Sequence, residues 1–350
     1  MLRIGFVGTG VIAWAHALCL QSMIEGRLID AALSEAYDIH ADRASRFAAV
    51  TGASVAGSVA DVVARCDAVY VCTPTASHSA AVETAANHGR AVFCEKPLAT
   101  DLAGAEQLAA IVDDAGVPAQ VGLVLRSTPI FRALRDIVSA EELGRPMAVA
   151  FRDDQYFPTQ GIYGSTWRAD VDVAGGGCLI EHSIHDLDIL RFCFGEVADL
   201  SARTANVAGH PGIEDVASVA LRFESGVTAD LVSVWHSILS RPSTRRVEVF
   251  CEQGLAWLDH DFLGPLHVQT SAGEEARPCP SPPWADELNL STDEVGLAIR
   301  MYLEADRAFV DAVTDGRPPT PTFADAVVAH RLVDAAYRSA AAPVRSLPGV

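Results

Sequence analysis

Residues 8–13 read Gly-Thr-Gly-Val-Ile-Ala, directly after a short apolar run at 4–7 and at the start of an Ala-rich stretch with helical spacing at 11–23. Glycine at the first position permits a tight turn, and glycine at the third lets a diphosphate approach the backbone. The small Ala13 lets helix and strand pack closely. A helix that begins there aims N–H groups and a partial positive charge at an anion. Such a turn works at the carboxyl edge of a parallel sheet, and the following residues supply one. Further apolar runs at 28–34, 68–72, 91–94 and 119–123 alternate with helically spaced segments at 40–51, 78–88 and 101–115. That rhythm predicts a doubly wound α/β sheet with helices on both faces, in a dinucleotide-binding domain spanning 1–125. Right-handed crossovers line up the carboxyl ends of the strands along one crevice, where ligands bind. Gly8, Thr9, Gly10, Val11 and Ile12 are the expected cofactor contacts.

The second run ends at Leu33-Ser34-Glu35, about 20 residues past the turn, where an acid is expected to meet the adenosine ribose. Glu35 would accept from both ribose hydroxyls and repel a 2′-phosphate, so the expected cofactor is NAD. Arg43 and Arg46 leave NADP as the lesser alternative. Cys72-Thr73-Pro74-Thr75 and Cys94-Glu95-Lys96-Pro97 each follow an apolar strand and so face the same crevice. A lysine held there before a rigid proline has the chemistry to polarise a substrate oxygen or pass a proton. A surface lysine beside a turn proline is the alternative.

After residue 126 the texture changes, and 126–350 reads as an α+β domain. Strands are expected at 147–152, 216–224, 227–235, 245–251 and 255–258, two of them joined by a Glu224-Ser225-Gly226 hairpin turn. Strand following strand suggests an antiparallel sheet. A Pro- and Ser-rich loop is expected at 278–292, then helices at 293–314 and 323–341. Among the strands, Gly175-Gly176-Gly177 precedes one expected helix over 178–194, which Gly195 stops. On a regular helix Glu181, His185 and Asp188 would share a narrow stripe, with apolar residues in nearly every other direction. A helix apolar almost all round is buried, where unpaired charge is costly. The cluster then reads as a self-satisfied polar network, as acid–base machinery, or as a metal site, since Glu181/His185 and His182/Asp186 have ligand spacing. The two pairs point in different directions and no third ligand motif accompanies them, so no metal is expected.

The chain carries 45 acidic against 26 basic residues, a net charge of −19, with no Lys/Arg cluster. That balance argues against nucleic acid and anionic membrane as partners. Eight scattered cysteines without a Cys-x-x-Cys pair read as buried thiols in a reducing compartment. No signal-peptide pattern or long apolar span is present, so a cytoplasmic protein is expected.

The turn at 8–13, Thr73-Pro74 with His78, Glu95-Lys96-Pro97, Arg126 with Pro129, the triple glycine through His185 and Asp188, and the closing Phe323-Ala324-Asp325-Ala326 together resemble the glucose–fructose oxidoreductase/inositol dehydrogenase (Gfo/Idh/MocA) family. The resemblance runs through nearly the whole chain in order. It implies a Rossmann domain, a C-terminal domain with an open-faced, mostly antiparallel sheet, and homo-oligomers (dimers or tetramers) formed through that sheet. It adds Thr73, Pro74, His78 and Glu95 to the cofactor site. It also implies that Lys96, Glu181 and His185 meet at the nicotinamide, with His185 taking a proton from a secondary alcohol of a sugar or cyclitol, Glu181 relaying and Lys96 stabilising the oxygen. Many relatives carry Asp where this chain has Glu181, which leaves the relay role open. Another reading has Glu181 and His182 bind substrate hydroxyls while His185 alone moves the proton. Arg126, Tyr156, Tyr163, Trp167 and Arg168 complete the expected substrate contacts, as a mixture of aromatic and hydrogen-bonding groups suits a polyol. Two rival activities remain: an NAD-dependent glycoside hydrolase with transient redox, and a dinucleotide-binding sensor without turnover.

Overall fold

The structure is a computed structural model that describes residues 1–241, 243–260, 264–278, 282–285, 288 and 299–342. Strands β1 (Leu2–Val7), β2 (Ala31–Tyr37), β3 (Ser54–Val55), β4 (Ala68–Val71), β5 (Ala91–Cys94) and β6 (Ala119–Val121) form one sheet in the order 3-2-1-4-5-6, every pair parallel. Helices α1 (Val11–Glu25), α2 (Ala41–Thr51), α3 (Val59–Arg65), α4 (His78–Asn87) and α5 (Leu102–Ala115) cover it. Burial on both faces explains why β4 and β5 are apolar and buried at every residue. Strand order reverses between β1 and β4, which opens the ligand crevice beside the 8–13 turn.

The expected elements of this half are present, with one consequential displacement. The second strand covers 31–37, not 28–34. Its register against β1 slips between Ile4 and Gly5, so that Ser34 is an extra residue. A bulge breaks the in–out alternation on which strand ends are read, and the strand runs on past Glu35.

The second half begins with α6 (Pro129–Ser139). Its eight-stranded sheet comprises β7 (Pro146–Tyr156), β8 (Val197–Ala205), β9 (Val216–Phe223), β10 (Thr228–His236), β11 (Thr244–Cys251), β12 (Gly254–Leu258), β13 (Leu266–Thr270) and β14 (Gly273–Arg277), in the order 14-13-12-11-7-10-9-8. Only β7 and β10 pair in parallel; the other pairs are antiparallel. The hairpin at 224–226 joins β9 to β10 as expected. One sheet face buries Phe151, Val219, Leu231 and Val247 against Leu179, Ile184, Leu187 and Leu190. The other exposes Val232 and Phe250.

Two expectations change here. β7 extends to Tyr156, past the strand expected at 147–152, so the expected substrate contact Tyr156 ends a central strand. The single helix over 178–194 is two: after α7 (Val171–Ala174), α8 (Cys178–Glu181) stops, His182 leaves helical geometry, and α9 (Ile184–Phe194) restarts. At the break, the buried Ser183 hydroxyl donates to Asp153 Oδ2 at 3.2 Å and lies in hydrogen-bond contact with the Ser233 hydroxyl at 2.6 Å. These sheet contacts outweigh one turn of local helix. The stripe of Glu181, His185 and Asp188 therefore does not form.

Helices α10 (Leu303–Asp315) and α11 (Phe323–Ala341) return to the first sheet. Leu303, Phe309 and Val310 join the cluster of Phe6, Leu20 and Phe93, and α11 lies against both α5 and β8. Most of the expected loop at 278–292 and the start of the helix expected over 293–314 lie outside the described residues. The seven described cysteines are buried and free. No helix among the described residues is long and apolar enough to cross a membrane.

Candidate active site

The phosphate turn has the required shape. Gly8 sits at φ +86°, and a Cβ on it would lie 2.7 Å from the carbonyl of Cys72 in the neighbouring strand-end loop. In front of Gly10 the space is open: a Cβ there would meet nothing within 4 Å. Gly10 is the N-cap of α1 and no side chain caps it, nor does an acid occupy the first turn. Open space before Gly10 and a helix N-terminus with no capping side chain fit a dinucleotide diphosphate.

The acid beside this turn is Asp38, not Glu35. Because of the Ser34 bulge, Glu35 lies inside β2, buried, with its carboxylate 3.3 Å from Arg65 of α3. Asp38 is the first residue past the strand end. Its Oδ2 accepts from Thr9 N at 2.9 Å and Thr9 Oγ1 at 3.0 Å, and Oδ1 accepts from His40 N. It borders a cavity of about 430 Å³ with Ile39, Ala44, Val55 and Gly57 at the carboxyl ends of β2 and β3. Arg46, one of the two arginines that kept NADP open, pairs with Asp42 at the surface.

Thr73 and Pro74 form the turn after β4. His78 is buried beneath them, its Nε2 3.0 Å from the Thr73 carbonyl and Nδ1 3.3 Å from that of Leu98. Burial lowers its pKa, so the neutral ring donates to one of these carbonyls and packs against the other. Glu95 also turns inward: its Oε1 meets His16 Nε2 at 3.0 Å, while Oε2 accepts from the Lys96 amide.

Lys96 Nζ donates to the backbone carbonyl of Glu181 at 2.6 Å, which joins the crevice of the first domain to the segment after the triple glycine. The Glu181 carboxylate does something else. It accepts from Thr75 Oγ1 at 2.8 Å and from Arg168 Nε at 2.9 Å, with both oxygens engaged. Glu181 therefore ties Thr75 of the first domain to Arg168 of the second. In this geometry it has no free oxygen aimed at His185. Burial pushes the Lys96 pKa down, as do Arg168 and Arg245, against Glu181 and Glu95.

His185 is buried, and its Nδ1 has no hydrogen-bond partner among the described residues. Burial, then the charges of Lys96 and Arg245, hold its pKa well below the ordinary imidazole value. The ring is neutral, beside an ammonium, with a nitrogen unused. His182 is different: Arg245 Nη2 lies 3.0 Å from its Nε2 and Asp153 at 3.1 Å. Burial and Arg245 keep it neutral as well. Arg245 also donates to Asp186 at 2.6 Å. Burial and neighbouring Asp153 raise Asp186 to about 6. Asp188 and Arg126 belong elsewhere: Arg126 Nε and Nη2 grip Asp188 at 2.7 and 2.5 Å, and Nη1 reaches Asp325 of α11 at 3.1 Å. The expected substrate contact Arg126 is thus an interhelix anchor, its guanidinium used up.

Among the expected substrate aromatics, Tyr156 is buried at the end of β7. Its ring is 5.6 Å from Tyr163, and its hydroxyl accepts from Ile162 N. Arg168 lies 4.3 Å over Trp167, so the guanidinium that binds Glu181 is also stacked on an indole. Among the described residues, no group of three or more His, Cys, Asp or Glu side chains is arranged to hold a metal ion. Sequence reasoning missed Asp38, Thr75, Arg245 and His16. Asp38 was within reach of a longer strand assignment; Arg245 carries no local signal, being 59 residues from Asp186.

Two family models cover most of the chain. "Oxidoreductase family, NAD-binding Rossmann fold" matches residues 2–123, and "GFO/IDH/MocA C-terminal domain" matches 131–256. An inositol 2-dehydrogenase of Rhizobium meliloti is 28% identical over 97% of both chains. A D-apiose dehydrogenase of Paraburkholderia graminis is 30% identical over 78% of this chain and 71% of its own length. The crystal structure of an oxidoreductase domain protein from Kribbella flavida superposes with a TM-score of 0.85 at 23% identity, covering 97% of each chain. The Rossmann sheet with its open phosphate turn, the mixed eight-stranded sheet and these matches place the chain in the Gfo/Idh/MocA family of oxidoreductases, with an NAD-binding Rossmann domain.

Proposed function

We propose that this enzyme oxidises a secondary alcohol of a sugar or cyclitol, with Lys96 and His185 handling the hydroxyl. The observation that carries the reading is the bond from Lys96 Nζ to the Glu181 carbonyl, which holds a cation of the crevice close enough to act on His185, a neutral imidazole whose Nδ1 has no partner among the described residues. Bound NAD supplies the hydride acceptor. Lys96 donates to the alcohol oxygen and stabilises its developing charge. His185 takes the hydroxyl proton, for which a neutral ring is required. Glu181 positions Thr75 and Arg168. Tyr156, Tyr163, Trp167, Arg168 and His182 border the substrate. The names of the inositol and apiose dehydrogenases support a polyol substrate, as does an acidic chain that offers little to a phosphorylated one.

A panel of inositols and aldoses with NAD, followed at 340 nm, tests this. Net NADH formation is expected; turnover of glycosides without NADH would favour the transient-redox hydrolase, and binding without turnover the sensor. Because the His185 pKa is depressed, kcat/KM is expected to stay flat as pH falls through the usual imidazole range near 6.5, with its acid limb below it. An acid limb above pH 7 would exclude His185 as the base.

Asp38 is the acid proposed to accept from the adenosine ribose and repel a 2′-phosphate. Asp38→Ser is expected to raise relative use of NADP by about tenfold or more, the factor that 1.4 kcal/mol of relieved repulsion gives. Glu35→Gln is expected to leave the preference unchanged. The reverse result in steady-state kinetics would restore Glu35 to the role.

Cytoplasmic residence fits the buried free cysteines. The exposed Val232 and Phe250 support homo-oligomerisation through the open sheet face.

A further inference from the structure

We propose that His16 is a positioning residue for Lys96, acting through Glu95. His16 stands on α1, the helix that begins at the phosphate turn, and is completely buried. Each ring nitrogen faces a carboxylate: Nδ1 lies 2.6 Å from Asp306 Oδ1 and Nε2 3.0 Å from Glu95 Oε1. Both nitrogens must donate to satisfy this arrangement, so the ring is an imidazolium. Burial opposes the charge, but Asp306 and Glu95 carry its pKa up to about 10.

Glu95 has little freedom in its slot, since a Cβ on Gly122 would fall 2.3 Å from its Oε1. Its other oxygen receives the Lys96 amide at 3.3 Å. The helix that cradles the diphosphate, the C-terminal helix α10 and the lysine loop are thereby joined through one buried ring. The remaining polar groups around His16 are Tyr70 of β4, whose hydroxyl donates to Asp306, the edge-on ring of Tyr302, and the thiols of Cys19 and Cys72. Beyond them, Arg300 lies near enough to act on Cys19, and Lys96 near enough to feel Glu95. Around Lys96 stand Glu181, Glu95, Arg168, Arg245 and His185, of which the two glutamates raise its pKa. With the imidazolium removed, Asp306 Oδ1 and Glu95 Oε1 each lose the donor between them, and a buried carboxylate without its partner is costly. Glu95 Oε1 is then without its donor and the carboxylate leaves its place beside Lys96, which loses one of the two carboxylates that raise its pKa.

The inference rests on the proposed role of Lys96, and its test has a readout that does not. His16→Gln, Glu95→Gln and the double variant are compared by kcat, KM for the alcohol, NADH affinity by fluorescence, and pH profile. Each single variant is expected to lower kcat about tenfold or more, with KM and NADH affinity within about twofold, an effect of 1.4 kcal/mol or more on turnover alone. The basic limb of kcat moves to lower pH in both. The double variant matches Glu95→Gln, because the two residues act in series. Multiplicative losses, or a His16→Gln enzyme with unchanged kcat and limb, would overturn the proposal. In parallel, the pH dependence of Lys96 labelling by an amine-reactive reagent, read by peptide mass spectrometry, reports the same titration without turnover. A shifted labelling profile in a protein inactive on every polyol would overturn the functional reading while sustaining the link. An unshifted profile overturns the link itself.

Discussion

Lys96→Met is expected to lower kcat by about 10²- to 10⁴-fold, the range that positioned proton and charge handling contributes. Methionine keeps the length of the stem and removes the ammonium, so the loss reports charge at the alcohol oxygen and not a cavity. In the structure that ammonium is fixed by the Glu181 carbonyl at 2.6 Å and lies close enough to depress the His185 pKa. Two opposed effects follow from its removal. The developing oxygen charge loses its stabiliser, while His185 becomes a stronger base. The first dominates, because a fixed donor in a water-poor site acts on the transition state directly. NADH affinity is expected to change little, since the diphosphate is held at the other end of the crevice. Pre-steady-state NADH formation checks this: a variant retaining more than about a tenth of wild-type chemistry would remove Lys96 from the proton-handling role.

The second large effect is on folding. Gly177→Ala is expected to destabilise by at least about 3 kcal/mol, a large share of the 5–15 kcal/mol that holds a typical domain. A Cβ on Gly177 would lie 1.8 Å from the Glu214 carbonyl oxygen and 2.6 Å from its amide nitrogen, both of them backbone atoms. Neither side can yield cheaply, because Glu214 is itself clamped: its carboxylate accepts from Gly177 N, Leu179 N and the Tyr337 hydroxyl. Gly175 has a similar constraint, with φ +87° and a would-be Cβ 2.2 Å from the Thr100 carbonyl. A Cβ on Gly176 would instead meet the Tyr337 hydroxyl at 2.5 Å, the end of a side chain. Thermal melts of the three alanine variants are expected to rank Gly176 as the mildest. A Gly177→Ala protein melting within a few degrees of wild type would show that the backbone can part there.

These contacts explain why the triple glycine was legible as a feature but not as a cause. In the sequence it marked the start of a helix. In the structure it is the point where three other segments, at Thr100, Tyr337 and Glu214, press on one backbone. The acidic residue Glu181 shows the same limit. Its extra methylene relative to Asp raised the question of what it reaches, and only the folded chain answers: Thr75 and Arg168, 106 and 13 residues away. Arg126 was read as a substrate contact because of the motif around it, yet Asp188 and Asp325 occupy it fully. His16 was passed over because a histidine one turn into an Ala-rich helix carries no sign that two distant carboxylates converge on it.

The order of apolar runs, the 8–13 turn and Glu95-Lys96-Pro97 determined, without coordinates, the parallel sheet, its phosphate turn and the placement of Lys96 at the crevice. These depend on local periodicity and on glycine and proline geometry, which neighbours in sequence carry. Tertiary structure alone decided the rest. It extended β2 through a bulge to make Asp38 the acid beside Thr9, and broke the 178–194 helix at Ser183 through bonds to Asp153 and Ser233. It also brought Asp306 back beneath His16. Each of those outcomes turns on buried polar groups finding partners far along the chain, where satisfying a hydrogen bond or a charge outweighs local propensity.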